Sequence, residues 1–251
     1  MDINKILEQH EIWIYSCGED GEKANLRGAN LRGTNLSYTN LYCADMSYSD
    51  LRDAKLKNAD MRGADMRGAD MRDAKLKNAD MSGADMRGAD MRGASLSNAD
   101  LCCTNLRGAS LSNANLRGAD MSGIDLRFAY LRDASLRDTD LKHAVLIEAD
   151  LRGADLRGAD LRWAELERAD MRDTYLPEST FIISDEKYFI SICRDYICVG
   201  YKWHSVSEWR QFSQQDIEKM YNINFLKFYP RLLDIIDFYC GRGDRPKWLK
   251  K

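Results

Sequence analysis

The sequence predicts an all-β solenoid in which four five-residue sides form one coil, and about eight coils stack between a short N-terminal cap and a C-terminal α+β module. Three observations predict this fold. A five-residue unit recurs 31 times without an insertion over residues 24–178, and its third residue is Leu or Met in every unit. In addition, residues 51–70 match residues 71–90 at 18 of 20 positions. The period of five therefore corresponds to one side, and the period of 20 to one coil.

The five-residue period fits neither a helix, with 3.6 residues per turn, nor a strand, whose side chains alternate every two residues. It fits a coil whose third residue and small first residue, Ala in 24 of 31 units, point inward while the other three point outward. Each coil would hydrogen-bond to the next at roughly 4.8 Å, because one coil cannot bury its core alone. Gly and Asn at fifth positions, such as Gly63 and Asn58, suit corners with unusual backbone angles.

Residues 1–23 form the predicted N-terminal cap. A short helix capped by Asp2 or Asn4 is expected first, and the segment 12–17 would then lead into the first coil. The cap would cover the open end of the solenoid, which is otherwise an adhesive edge.

Residues 179–251 lack the repeat and are predicted to form the α+β module. Segments 181–184 and 187–203 are typical of strands, with a turn near Asp195. If that turn has two residues, Cys193 and Cys198 would face each other across a hairpin. Two capping boxes predict helix starts, and they are formed by Ser205 with Glu208 and by Ser213 with Asp216.

The segment 223–243 predicts a helix with a broad apolar stripe, which Gly241 or Gly243 would end and which Pro230 would kink or divide. So wide a stripe needs a partner surface, either the last coil or a second copy of the chain. The residues of the stripe are therefore candidate dimerisation residues: Phe225, Phe228, Tyr229, Leu232, Ile235, Ile236 and Tyr239.

The five-residue unit resembles that of a known family. ANLRG, ADMRG and ADLRG are similar to the A(D/N)LXX consensus of pentapeptide-repeat proteins, and this resemblance implies a right-handed quadrilateral parallel β-helix. Residues 4–13 and 21–36 look like the lead-in of bacterial and phage-encoded members, and residues 200–220 are similar to a C-terminal module of phage-associated ones. Better-known relatives confer quinolone resistance as dimeric rods that resemble duplex DNA and engage gyrase. The resemblance thus implies a homodimer formed through the C-terminal module and a partner of the gyrase type.

The charge of the repeats excludes mimicry of DNA over their whole surface. Residues 24–178 carry 25 acidic and 23 basic side chains, whereas duplex DNA over about 37 Å, the length of about eight coils, would carry roughly 22 negative charges. Asp at the second position is usually followed by Arg at the fourth, so the two are expected to neutralise each other. Near-neutral charge also predicts no specific binding of nucleic acid and no attraction to membranes.

Two sides of the coil depart from this neutral coat. One side carries seven basic residues, including Lys55, Lys57, Lys75 and Lys77. The next side is expected to carry one aspartate per coil in a line, which makes these acids a candidate interaction surface: Asp60, Asp80, Asp100, Asp120, Asp140 and Asp160. A local acidic stripe or a merely solvated surface would both fit this pattern.

Apolar residues interrupt the outward positions in one region, near coils six to eight. Such a cluster is typical of a contact surface, either for a partner or beneath the C-terminal module. Its members are the remaining candidate interaction residues: Phe128, Tyr130, His143, Val145, Ile147 and Trp163.

The sequence predicts no enzyme, no metal and no cofactor, because it contains no phosphate-binding loop, no nucleophile motif and no His-rich cluster. Cys193, Cys198, His204 and Cys240 match no familiar zinc spacing, which favours ordinary buried thiols. Seven scattered cysteines without a signal peptide favour a reduced compartment. The expected location is the bacterial cytoplasm, or the host cytoplasm for a phage-encoded chain.

The sequence thus favours a non-enzymatic protein that occupies or shields a protein partner, either DNA gyrase or another nucleic-acid or defence enzyme. Two alternatives remain open at this point. One is a phage-encoded inhibitor for counter-defence or host takeover, and the other is a structural spacer that displays the C-terminal module.

Overall fold

The computed structural model describes residues 2–178, 180–183, 186–200, 202–221 and 223–249. The chain divides into two compact units, Met1–Pro177, here called the repeat unit, and Glu178–Lys251, the C-terminal module. No helix within the described ranges is long and apolar enough to span a bilayer.

The repeat unit is a stack of coils joined by parallel bridges between residues 20 positions apart. The bridges begin with Asn25 and Asp45 and end with Asp155 and Tyr175. Within each side, the third residue donates its N–H to a carbonyl of the next coil, as Leu96 does to Asn115 at 2.7 Å. The backbone polar groups of one coil are therefore satisfied by the next, at the 20-residue spacing that the sequence predicts for one coil.

The interior of the repeat unit is formed by the third and first residues of each five-residue unit. The third residues from Leu26 to Leu156 are at most 1% exposed, and first-position alanines such as Ala94 lie between them. Ile124, which replaces Ala at a first position, is also fully buried. The prediction that these two positions point inward is confirmed.

The corners are formed by the fifth residues, which adopt the left-handed conformation whether or not they are glycine; φ is +63° at Gly68 and +60° at Trp163. A side chain at this position extends toward the same corner of the next coil. A Cβ built on Gly68 would lie 2.8 Å from Cδ1 of Tyr48. Where the corner residue of the next coil is not glycine, the two corner side chains can interact. The side-chain amide of Asn78, for example, donates a hydrogen bond to the amide oxygen of Asn58 at 3.1 Å.

The N-terminal cap is helix α1, Ile3–Tyr15. Asp2, one of the two predicted caps, caps it by accepting hydrogen bonds from the backbone N–H groups of Asn4 and Lys5. The expectation that segment 12–17 leads into the first coil is wrong for its first four residues, which form the last turn of α1.

Two close contacts hold α1 against the chain that follows it. His10 is fully buried, and its Nδ1 accepts a hydrogen bond from the N–H of Ala24 at 3.1 Å. At Gly21 the backbone passes so close to the helix that a Cβ would lie 2.4 Å from the Gln9 carbonyl oxygen. The helix is thus fixed to the beginning of the first coil, as its predicted capping role requires.

The C-terminal module contains a four-stranded antiparallel sheet in the order β1-β2-β3-β4. Its strands are β1 Thr180–Ile183, β2 Ile190–Cys193, β3 Tyr196–Val199 and β4 Lys202–Ser205. The helices that follow are α2 Val206–Gln211, α3 Gln214–Met220 and α4 Ile223–Cys240, with a 3₁₀ turn at Lys247–Leu249.

The local signals of the module are mostly confirmed. Ser205 and Ser213 open α2 and α3 with complete capping boxes. Helix α4 is continuous through Pro230, and Gly241 follows it with φ of +82°.

The hairpin prediction for the two cysteines of the sheet is wrong. Although the turn has two residues, Cys193 pairs with Tyr196, and Cys198 pairs with Ser191. Because the turn lies at residues 194–195, the two cysteines are offset diagonally instead of directly opposite each other.

The apolar stripe of α4 finds its partner within the C-terminal module. Tyr229 is fully buried, and the stripe packs against Ile190, Ile197 and Trp209 in one hydrophobic core. Of the seven candidate dimerisation residues, only Tyr239, at 37%, is substantially exposed. The argument that the stripe needs a second copy is therefore corrected, because the same chain covers these six residues: Phe225, Phe228, Tyr229, Leu232, Ile235 and Ile236.

Candidate functional site

Most of the aspartates at second positions of the repeats are neutralised by a base two residues later, and nearly all of these bases are arginines. In the pair Asp60–Arg62, Nε donates to Oδ1 at 2.9 Å and a terminal guanidinium nitrogen donates to Oδ2 at 2.6 Å. The same Oδ1 accepts the backbone N–H of Arg62 at 3.2 Å. This bidentate hydrogen bonding lowers the pKa of Asp60, and Arg157 lowers the pKa of Asp155 to about 2. The predicted neutralisation between second and fourth positions is confirmed for these pairs.

The six aspartates of the predicted acidic line lie in one column along one side of the repeat unit. Parallel bridges connect each of them to the next, from Asp60 to Asp160. Three of the six are neutralised by a base two residues later, since Asp60 pairs with Arg62, Asp140 pairs with Lys142 at 2.7 Å, and Asp160 pairs with Arg162.

The other three, Asp80, Asp100 and Asp120, form what we call the acidic window. The residues two positions later are Ser82, Cys102 and Ser122, which carry no positive charge. Among the described residues, the only ion-pair contact to the window comes from the neighbouring coil, where Nε of Arg62 lies 3.7 Å from Oδ2 of Asp80. The window is therefore a break of three consecutive coils in the neutral coat.

The carboxylates of the window are held in place by the backbone. One oxygen of each aspartate accepts the N–H of the residue two positions later, at 3.1, 2.9 and 3.0 Å for Asp80, Asp100 and Asp120. The second oxygen of each, Oδ2, accepts no hydrogen bond from a described residue, whereas Oδ2 of Asp60 accepts one from the guanidinium of Arg62. These three oxygens are therefore available to a cationic side chain of a partner.

The spacing of the window suits a row of cations. Adjacent coils in a parallel arrangement are about 4.8 Å apart, so the window presents one negative charge about every 4.8 Å. One strand of duplex DNA presents a charge about every 3.4 Å along the axis. Over these three coils the charge density along the column is thus comparable to that of a single DNA strand.

The neighbouring side carries the predicted basic group. Lys55, Lys57, Lys75 and Lys77 are all exposed, and a bridge joins Lys55 to Lys75 in the next coil. None of these lysines takes part in an ion pair with another described residue. Opposite charges that are not neutralised on their own strand thus occur on adjacent sides of the same coils.

The predicted apolar cluster is only partly brought together. At one corner the rings of His143 and Trp163 stack with centroids 5.0 Å apart and an angle of 9° between their planes. Phe128, on the next corner, is 40% exposed and lies beneath the Arg107 guanidinium at 5.1 Å. Tyr130 is 56% exposed and belongs to the adjacent side. Val145 and Ile147 are half-buried between the two corners.

The sequence indicated the acidic line but not its division into three aspartates that pair with a base two residues later and three that do not. The signal was present at the fourth positions, where Ser82, Cys102 and Ser122 interrupt the series of basic residues. Counting charges over a whole side hides this break, because the neutralising contact is made two residues away on the same strand. Within the described residues, no group of three or more His, Cys, Asp or Glu side chains is arranged to hold a metal ion.

The comparisons with known proteins agree on the repeats. The family model for pentapeptide repeats matches in 8 copies, through segments that together cover residues 22–173. No curated protein matches the chain.

Three solved structures illustrate the range of similarity. QnrB1, a plasmid-mediated fluoroquinolone resistance protein, is 18% identical with a TM-score of 0.42, over 62% of this chain and 86% of that one. HetL, which is involved in heterocyst differentiation regulation in the cyanobacterium Nostoc sp. strain PCC 7120, is 28% identical with a TM-score of 0.28, over 71% and 98% of the two chains. Another pentapeptide repeat protein of Nostoc PCC 7120 is 37% identical with a TM-score of 0.34, over 43% and 74%.

These superpositions are weak, so the match of the repeat model carries the assignment. It covers more than half of the chain and the same residues that form the bridged coils. The fold that this match implies is a right-handed β-helix solenoid. The chain belongs to the pentapeptide-repeat family.

Proposed function

We propose that this protein is a non-enzymatic binding protein whose acidic window contacts a basic surface of a protein partner. The observation that carries the proposal is the pairing pattern along one column. Asp60, Asp140 and Asp160 have a base two residues later, whereas the three aspartates between them do not. Three carboxylates in register, each oriented by a backbone N–H, form a pre-organised surface for arginine or lysine side chains.

The partner class that this surface fits best is an enzyme that binds duplex DNA. Such enzymes grip phosphates with rows of Lys and Arg, and the window offers a row of negative charges at a similar spacing. The mimicry is local, since the repeat coat as a whole is close to neutral. A gyrase-type enzyme is the specific candidate, in line with the resistance protein QnrB1, which belongs to the same family.

The test uses substitutions that the chain itself shows to be compatible with the fold. Asn occupies second positions elsewhere, and Asn25 and Asn115 accept the same backbone hydrogen bond from the residue two positions later. The triple variant of the window, Asp80→Asn with Asp100→Asn and Asp120→Asn, should therefore keep its structure while losing three charges. A matched control removes three charges from a neighbouring side, with Asp65→Asn, Asp85→Asn and Asp125→Asn.

Purified gyrase is assayed for supercoiling at increasing concentrations of the wild-type protein and both triple variants. We expect inhibition by the wild-type protein and by the control variant. The window variant should need at least about tenfold more protein, because it lacks three charge-assisted contacts that individually contribute about 1 kcal/mol or more. Equal inhibition by both variants would show that the window is not the contact. No effect of the wild-type protein at micromolar concentration would exclude gyrase.

The broader proposal of a basic protein partner has a separate test. The three proteins are immobilised and compared for retention of purified DNA-binding enzymes at about 150 mM salt, near physiological ionic strength. Retention that depends on the window, but not on the control positions, supports the proposal. Retention that is identical for all three proteins contradicts it.

A further inference from the structure

Two consecutive cysteines lie in the middle of the acidic window, and the function proposed above does not use their thiol groups. Cys102 is the fourth residue of its five-residue unit, and Cys103 is the fifth, with φ of +57°. The corner turns the two side chains toward each other, so that their sulfur atoms are 3.3 Å apart.

The pair is open to solvent because its neighbours in the column are small. Ser82 and Ser122 are the residues at the position of Cys102 in the preceding and following coils, and Gly83 and Gly123 correspond to Cys103. A Cβ on Gly123 would lie only 3.4 Å from the Cys103 sulfur. The absence of a side chain there leaves room for a ligand beside the sulfur atoms.

The covalent geometry disfavours a disulfide between these two cysteines. Consecutive Cα atoms are about 3.8 Å apart, whereas disulfides usually need a Cα separation of about 4.4–6.8 Å. A metal ion bound between the two sulfur atoms avoids this problem, because the sulfur atoms then do not have to bond to each other. With metal–sulfur bonds of about 2.3 Å, a tetrahedral ion needs sulfur atoms about 3.8 Å apart. The observed separation requires only a small rotation of either side chain to reach that distance.

We propose that Cys102 and Cys103 form a two-thiolate chelating site for a soft, thiophilic metal ion. Thiolates select soft or borderline ions such as Cu⁺, Zn²⁺ and Cd²⁺. On binding, each thiol loses its proton to solvent, two metal–sulfur bonds form, and no electron is transferred. The remaining coordination positions are filled by water, and the carboxylates of Asp100 and Asp120 supply a negative potential that attracts the cation.

Metal binding at this site releases protons, because a thiol binds a metal ion as the thiolate. The hydrogen bond with Cys102 raises the pKa of the Cys103 thiol, and the charges of Asp120 and Asp100 raise it further.

The experiment is a titration of the reduced full-length protein with Cd²⁺, followed by the ultraviolet absorbance of the cadmium–thiolate bonds. Two variants remove one sulfur each with residues that the repeats already use at fourth and fifth positions. Cys102→Ser reproduces Ser82 and Ser122, and Cys103→Asn reproduces the corner residue Asn98. Circular dichroism confirms that both variants remain folded.

We expect one tight Cd²⁺ per wild-type chain and a loss of affinity of about 100-fold in either variant, because a single thiolate lacks the second, intramolecular bond. Cys17→Ser and Cys43→Ser, which change two cysteines that are at least partly exposed, should leave the tight site unchanged. A tight site that persists when both Cys102 and Cys103 are replaced would overturn the proposal. So would the absence of a tight site in the wild-type protein, or its loss in Cys17→Ser or Cys43→Ser.

Discussion

Replacement of Gly68 by Ala should destabilise the repeat unit more than the same change at Gly88. Both glycines stand at the same corner, one coil apart, with φ of +63° and +67°. Both alanine variants therefore share the penalty of the left-handed conformation, about 1–2 kcal/mol. Only at Gly68 would the new Cβ collide with a neighbour, at 2.8 and 2.9 Å from Cδ1 and Cε1 of Tyr48, whereas nothing lies within 4 Å at Gly88.

The size of the difference depends on the contact that Tyr48 loses and on the rotamer that it leaves. Its ring has to rotate away from the new methyl group, and it then leaves the Arg27 guanidinium, which lies 5.5 Å from the ring centroid. A cation–π contact at an exposed site contributes about 0.5–1 kcal/mol, and a side chain forced off its rotamer costs about 0.5–1.5 kcal/mol. The free energy of unfolding should therefore fall by about 1–2.5 kcal/mol more in Gly68→Ala than in Gly88→Ala.

Urea unfolding of the full-length chain, monitored by circular dichroism, measures this difference. The double variant Tyr48→Ala with Gly68→Ala should lose only as much stability as Tyr48→Ala and Gly88→Ala lose together, within about 0.5 kcal/mol. Equal destabilisation by the two glycine variants would refute the argument that corner side chains reach over the next coil. The argument would also be refuted if Gly68→Ala remained more destabilising than Gly88→Ala after Tyr48 had been replaced by Ala.

Three further predictions test the interior, the charged coat and the coil length. Leu96→Ala should lower the free energy of unfolding by about 3 kcal/mol, because it leaves a cavity in the core, whereas Lys57→Ala on the surface should change it by less than about 0.5 kcal/mol; similar urea midpoints would mean that inside and outside are reversed. Because the pKa of Asp155 is lowered to about 2, its pairing stabilises the fold fully above the unfolded pKa of about 3.9. That contribution should be lost as the pH falls from about 4 to about 2, and a melting temperature that stays constant over this range would contradict the prediction. Deletion of residues 51–70 removes one complete coil and should leave a cooperatively folded protein. Deletion of residues 51–57 breaks both the five-residue and the 20-residue period and should abolish cooperative unfolding. Equally cooperative unfolding of the two deletion variants would contradict a 20-residue coil.

The repeat unit could be predicted from the sequence because its structure is set locally and repeated. Leu or Met at the third position of every five-residue unit can be buried only in the interior of the coil, and the near-identity of residues 51–70 and 71–90 gives the length of a coil directly. The capping boxes at Ser205 and Ser213 could also be predicted from the sequence, because their hydrogen bonds join residues three positions apart.

The contacts between distant segments could not be predicted in this way. The apolar stripe of α4 suggested an external partner, and only the tertiary structure shows that Trp209 and the sheet cover Tyr229 and its neighbours. Likewise, the sequence did not indicate the contact of α1 with the chain that follows it, because that contact joins His10 to Ala24, fourteen residues away.

The candidate site lies between these two cases. The sequence by itself determined that six aspartates stand in one column, since the 20-residue period fixes which residues are neighbours. Only the structure showed which carboxylates are neutralised, because an ion pair depends on how far each side chain reaches and in which direction. Arg62 and Arg162 reach back to the aspartate two residues earlier, whereas Ser82 and Cys102 carry no charge. The period thus fixed the positions of the charges, and side-chain geometry decided which of them a partner can use.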